Sequence, residues 1–221
     1  MSAKSSERTP SIIDAAPEAI AEAAEACADA VERGDLIVFP TDTVYGIGAD
    51  PFSEAAILRL FEAKGRPQGM PIPVLVASAA EVGCVSEGEL PAVAAELFER
   101  FWPGALTVIV PRSEALPAVI ASGGDTIGLR LPDSEIALEI IAACGGALAT
   151  TSANLTAQPP AREVGELSPE LLAHVAVVID GGPCRGGTAS TVLDLTADPP
   201  KILREGPVSR EELREVIPSL A

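Results

Sequence analysis

The chain has 221 residues, 48% of them apolar, enough for one large domain or two small ones with a substantial core. No apolar run approaches the ~20 residues that cross a bilayer, and the polar residues 1–17 lack the apolar centre of a secretion signal; they read as a flexible tail on a cytoplasmic protein that makes no membrane contact. A formal charge of −17 repels nucleic acid unless positive charge is locally concentrated, and Cys27, Cys84, Cys144 and Cys184, far apart and accompanied by the single histidine His174, fit buried reduced thiols better than a zinc site or a disulfide framework.

Residues 17–33, rich in Ala and Glu, predict a helix ended by Gly34. Residues 36–39 predict a buried strand that stops at Pro40, and a polar loop follows, Thr41-Asp42-Thr43-Val44-Tyr45-Gly46. Ser53 is placed to cap a helix running through Ala63, with Ile57, Leu58, Leu60 and Phe61 on its buried face. A short strand at 73–77, a helix at about 91–100 and a strand at 106–110 come next. Residues 126–131 predict a strand entered through Gly123-Gly124, and residues 134–143 a helix ended by Gly145-Gly146. The strand 147–150 leads into Thr151-Ser152-Ala153-Asn154; strands at 175–179, 191–195 and 201–203 and a helix at 209–217 complete the chain. Helices and strands mix without the regular alternation of a doubly wound sheet, which predicts a single α/β domain over residues 18–221 with a large, twisted, mixed sheet.

Several polar residues stand out against this framework. Lys64-Gly65-Arg66 sets a point charge beside a planar fork, two ways of holding phosphate oxygens, although cations are also favoured at any helix C-terminus. Ser152 and Asn154 follow directly on a strand, where ligands commonly bind in α/β sheets, although both are also ordinary turn formers. Arg130 lies in a predicted strand and so needs a partner, either a ligand or an acidic side chain. Only Lys4, Lys64 and Lys201 are lysines. There is no Gly-x-x-x-x-Gly-Lys-Ser/Thr, which argues against a P-loop ATPase.

Taken in order and spacing, Lys64-Gly65-Arg66, Ser152-Ala153-Asn154, the loop from Pro40 to Gly48 and Phe101-Trp102-Pro103-Gly104-Ala105-Leu106-Thr107 resemble the YrdC-like family of threonylcarbamoyl-AMP synthases, over roughly residues 18–217. The resemblance implies an open sheet with a concave ligand cavity and a nucleotidyltransferase reaction. Threonine captures carbon dioxide from bicarbonate, and the carbamate attacks the α-phosphate of ATP and releases pyrophosphate. A separate threonylcarbamoyl transferase complex passes the group to transfer RNA. It implies Lys64 and Arg66 as catalytic and ATP-binding residues, with Thr126, Asn154, Ser190 and Arg204 also on ATP and Thr43, Arg130 and Ser152 on threonine. Mg2+ would arrive with ATP, with no protein metal ligand, no zinc and no organic cofactor. Gly181, Gly182, Gly186 and Gly187 would allow a mobile loop over the nucleotide, with Trp102 and Tyr45 as core and cavity-wall residues. Two positions depart from the pattern: Met70 stands where many relatives have an asparagine that contacts ATP, and Leu75 where they have a histidine that holds threonine.

Two other readings remain at this point. One is a noncatalytic RNA-binding or ribosome-associated module of the same fold, against which the −17 charge counts; direct binding of transfer RNA is expected to be weak or absent. The other is a carbamoyl-AMP transfer domain like that of hydrogenase-maturation proteins, although the zinc-finger and acylphosphatase modules of those proteins are missing from this sequence.

Overall fold

The computed structural model describes residues 9–67 and 69–221. Ten strands form one mixed sheet: β1 Ser11–Asp14, β2 Leu36–Phe39, β3 Gly46–Ala49, β4 Val74–Val76, β5 Leu106–Pro111, β6 Thr126–Arg130, β7 Ala147–Ser152, β8 Val175–Asp180, β9 Thr191–Asp194 and β10 Lys201–Arg204, in the order β1-β8-β2-β3-β7-β4-β6-β5-β9-β10. The helices are α1 Ile20–Glu32, α2 Glu54–Ala63, α3 Val82–Val85, α4 Val93–Phe101, α5 Glu135–Ala143, α6 Pro169–Leu172 and α7 Arg210–Val216. Their starts follow local chemistry. Ser53 accepts from the Ala56 amide ahead of α2, Ser134 from Ala137 ahead of α5, and Ser209 with Glu212 closes a capping box ahead of α7. Among the described residues no helix is long and apolar enough to cross a membrane.

The structure corrects several expectations. Part of the segment read as a tail is strand β1, which pairs in parallel with β8 from Ser11↔Val177 to Asp14↔Asp180; residues 1–8 of that segment lie outside the described residues. Its Ile13 packs into the core while Ile12 is exposed, but Ser-Ile-Ile-Asp has only two apolar residues between polar ones and so gives no apolar run to mark a strand. Strand β3, Gly-Ile-Gly-Ala, takes the end of the segment expected as a loop up to Gly48 and runs on to Ala49, although glycine disfavours strands. Glycine is required there: a Cβ on Gly46 would come within 2.7 Å of the Thr150 methyl of the neighbouring β7. Leu58, placed on the buried face of α2, is exposed. Cys27 and Cys184 are buried as expected, but Cys84 is exposed, and all four thiols are free.

The two faces of the sheet are covered differently. One face carries Val74, Val76, Leu106, Val108, Val110, Ile127, Leu129, Ala147 and Ala149, sealed by α2, α4 and α7 through residues such as Leu60, Leu97 and Leu213. The other carries Ile37, Phe39, Leu75, Leu148, Val177 and Ile179, sealed by α1 and α5. That second cover reaches only part of the sheet. Beyond Leu75, the side chains alternating with the first set are small or polar apart from Ile109, and a cavity opens there.

Candidate functional site

The cavity has a volume of about 370 Å³, a size suited to a small-molecule ligand. Its floor is built from the strand positions that face away from the main core: Pro73 and Leu75 of the β4 segment, Thr107 and Ile109 of β5, Gly128 and Arg130 of β6, Thr150 and Ser152 of β7. Gly128 stays small because a Cβ would meet the Thr107 methyl at 3.1 Å. The wall is the loop 41–45, shaped by the Thr41 hydroxyl, which accepts from the Thr43 and Val44 amides and donates to the Val44 carbonyl. The Tyr45 ring also lines the wall; its hydroxyl donates to the Gly182 carbonyl and accepts from the Gly181 amide. Gly181, Gly186 and Gly187 serve close approach, and Gly182 supplies a φ of +72°. Gly186 donates to the Asp42 carbonyl, and a Cβ on it would stand 2.7 Å from that oxygen.

Three arginines line the cavity, and Lys64 sits behind them. Arg66 is oriented by the Met70 and Pro71 carbonyls, at 3.0 and 2.9 Å. Arg204, on the rim, donates Nε and Nη2 to the Ser190 carbonyl at 3.0 and 2.8 Å. Arg130, 6% exposed, donates to the Gly104 carbonyl, the Thr43 hydroxyl and the Asp42 carboxylate. Burial pushes all three guanidiniums below their ordinary pKa, and the charge of Arg204 adds to the effect on Arg66 and Arg130. The ion pair with Asp42 opposes it for Arg130. Such an arrangement of desolvated, mutually repelling cations is eased by a bound anion.

Each residue named from sequence can now be placed. Thr43, Arg66, Arg130, Ser152, Ser190 and Arg204 line one cavity. Lys64 does not line it. Its ammonium, in a side chain that is 2% exposed overall, donates to the Ser152 carbonyl and to both the backbone and side-chain oxygens of Asn154. Lys64 therefore joins the two motifs by pinning the turn after β7. Asn154 turns its amide away, to the Leu155 and Gln158 carbonyls. Thr126 shares a face of β6 with Gly128 and Arg130 but lies outside the lining. Trp102 stacks on Phe98 at 4.0 Å and donates to the Leu106 carbonyl, a core role. Met70 is exposed; Leu75 is in the cavity wall.

Sequence reasoning passed over Asp42, Thr107 and Thr150. Thr107 holds the Ser190 hydroxyl at 2.7 Å. For the two threonines the signal was a lone hydroxyl in an otherwise apolar strand, Leu-Thr-Val-Ile-Val and Ala-Leu-Ala-Thr. Among the described residues no group of three or more His, Cys, Asp and Glu side chains is placed to hold a metal ion.

The profile of the Sua5_yciO_yrdC family, described as telomere recombination, matches residues 29–206. The chain belongs to this family. A threonylcarbamoyl-AMP synthase of Pyrococcus abyssi is 41% identical over 187 residues, 85% of this chain and 55% of that protein. A relative from Mycobacterium tuberculosis is 41% identical over 189 residues, 85% of this chain and 86% of its own length. The crystal structure of P. abyssi Sua5 complexed with L-threonine superposes with a TM-score of 0.88 at 37% identity, over 97% of this chain and 63% of that one. This chain thus spans about half the length of the Pyrococcus relative and most of the mycobacterial one.

The environment of Lys64 generates a measurable expectation. Burial, and secondarily the charge of Arg66, pull its pKa from 10.5 to about 7. The unfolded chain keeps this proton up to about 10.5 and the folded chain releases it at about 7, so through this group stability rises with pH between those values. With only three lysines in the chain, the Nζ resonance of Lys64 can be followed directly, and its midpoint should fall near pH 7. A midpoint in the ordinary lysine range would mean that the three oxygens outweigh burial.

Proposed function

We propose that the protein is a threonylcarbamoyl-AMP synthase, a nucleotidyltransferase acting on ATP, L-threonine and bicarbonate. The observation that carries this reading is the meeting of Arg66, Arg130 and Arg204 around one cavity, with hydroxyls between them. The family and the threonine complex of a 37% identical relative support it. So does the inward direction of the cations, since an RNA-binding surface would display them outward.

In this reading Arg130 takes the carboxylate of threonine, with the Thr43 and Ser152 side chains beside it, and Arg66 and Arg204 take phosphate oxygens, with Ser190 held against Arg204. Threonine's amine forms a C–N bond to carbon dioxide and loses a proton. A carbamate oxygen then bonds to the α-phosphorus of ATP as the bond to pyrophosphate breaks. Two anions are joined, so charge neutralisation and alignment supply most of the acceleration. Lys64 contributes by fixing the Ser152–Asn154 turn. The lining, rich in guanidiniums and hydroxyls, suits phosphate oxygens better than a bare cation; Mg2+ would be carried on the triphosphate, where it neutralises charge. A cytoplasmic setting and a downstream transferase acting on transfer RNA belong to the same reading.

The test is pyrophosphate release with ATP, magnesium and a panel of amino acids. Release should require both threonine and bicarbonate; release indifferent to either would overturn the reading. Arg66→Ala should lower turnover by roughly 10²–10³-fold with the fold intact, and Arg66→Lys should also be impaired, because a point charge does not replace a fork. Wild-type rates in Arg66→Ala would remove the arginine from the site.

Leu75 gives a second expectation. It offers threonine apolar contact and no hydrogen bond, so Leu75→His should lower the Michaelis constant for threonine by roughly two- to twelve-fold, the worth of one hydrogen bond, and leave that for ATP alone. An equal shift for both substrates would mean that Leu75 does not border the amino-acid pocket.

A further inference from the structure

Asp42 has no part in the reading above. It lies in the loop 41–45, and its side chain is 11% exposed. It does not line the cavity already described; it lines a second one, of about 280 Å³, together with Pro40, Ser134 and Cys184. Arg130 lines the first cavity and not the second, while Thr41 lines both. The ion pair of Arg130 with Asp42, Nη2 to Oδ1 at 2.6 Å, therefore stands in the wall between them. The side-chain contact by which Asp42 reaches the first cavity is its ion pair with Arg130.

The contacts on the guanidinium define that action. Nε donates to the Gly104 carbonyl at 2.9 Å, Nη1 to the Thr43 hydroxyl at 3.0 Å and Nη2 to Asp42 at 2.6 Å. Three anchors on a planar group fix its plane and its rotation. Of the five N–H groups of arginine, one on each terminal nitrogen is left, a pair suited to the two oxygens of a carboxylate. The Asp42 backbone is itself held, because its carbonyl accepts from Gly186 at 2.9 Å, and that glycine comes so close that a Cβ on it would stand 2.7 Å from the carbonyl oxygen. The Thr43 hydroxyl is aligned in the same way: Thr41 donates to Val44, so Thr43 donates to Thr41 and its lone pairs face Arg130.

Resting on the threonine reading above, we propose that Asp42 is the positioning residue of the amino-acid pocket, setting the Arg130 guanidinium so that its two remaining N–H groups receive the substrate carboxylate. Position, and not only charge, is what Asp42 supplies. An unanchored guanidinium would keep its charge and lose its aim.

The experiment has a kinetic arm and a spectroscopic one. Asp42→Ala should raise the Michaelis constant for threonine roughly tenfold, with the constant for ATP and the turnover number within about twofold. Asp42→Asn keeps an acceptor oxygen in place and should recover most of the loss. Asp42→Glu keeps the charge but shifts it by one methylene, and should not. In arginine side-chain NMR spectra the Arg130 Nε–H signal should be sharp and slow to exchange in the wild type and in Asp42→Asn, and broadened in Asp42→Glu. These two variants carry the test if Asp42→Ala does not fold. A wild-type threonine constant in Asp42→Glu with an unchanged Arg130 signal would overturn the proposal. Equal losses for threonine and ATP would overturn it as well, by showing a general structural role. If the wild type itself shows no threonine-dependent release, the proposed activity falls, and the Arg130 signal alone decides whether Asp42 holds the guanidinium.

Discussion

Four cations held close together without four carboxylates is the constraint on which the rest of this site depends. Lys64 is held by oxygens of Ser152 and Asn154, Arg66 by the carbonyls of Met70 and Pro71, and Arg204 by the carbonyl of Ser190. The carbonyls orient Arg66 and Arg204 and leave their charge in place, whereas burial leaves Lys64 only partly charged near neutral pH. Only Arg130 is paired with a carboxylate. In a chain of formal charge −17, positive charge is thus concentrated and left uncompensated at one place. Beyond about 8–10 Å the acidic surface is screened at physiological ionic strength, so a ligand in the cavity meets mainly the cations. On approach, an anionic substrate meets the acidic field first, which makes its association sensitive to salt.

The sheet makes this concentration of charge possible by covering its two faces unequally. The face under α2, α4 and α7 is apolar from Val38 of β2 across Val74 and Leu129 to Leu193 of β9. The opposite face is sealed by α1 and α5 over β2, β8 and the near parts of β4 and β7, and then left open. Leu75 stands at the boundary, part of that second cluster and also part of the cavity wall. From there outward the same strands place Thr107, Gly128, Arg130, Thr150 and Ser152 on the open face. Packing and site therefore use alternate residues of the same strands, which lets the floor be polar while the core stays dry.

Much of this was legible in the sequence because its signals are local. Ser53 announced its helix by capping chemistry, and the apolar runs from Leu36 and Val175 announced strands. Arg130 was marked by its place inside a strand; the acidic partner exists, Asp42, and Arg130 also lines the cavity. What escaped depends on contacts distant in sequence. Strand β3 exists because Gly46 and Gly48 let β2 and β7 approach, a requirement written on the neighbouring Thr150 and Phe39. Asn154 turns from the cavity because its amide donates to the Leu155 and Gln158 carbonyls, and Lys64 turns from it because its ammonium donates to oxygens of residues 152 and 154, 88 and 90 positions away. A motif gives the residue types that meet; only the fold gives the direction in which each points.

The central claim is that this cationic cavity binds a nucleotide triphosphate and an amino acid together. It is tested most directly by a crystal structure with a nonhydrolysable ATP analogue and L-threonine. The account predicts both ligands in the one cavity, phosphate oxygens on Arg66 and Arg204, and the threonine carboxylate on the two free N–H groups of Arg130 with the Asp42 contact intact. A nucleotide seated in the second cavity beside Ser134, or threonine with its carboxylate away from Arg130, would contradict it.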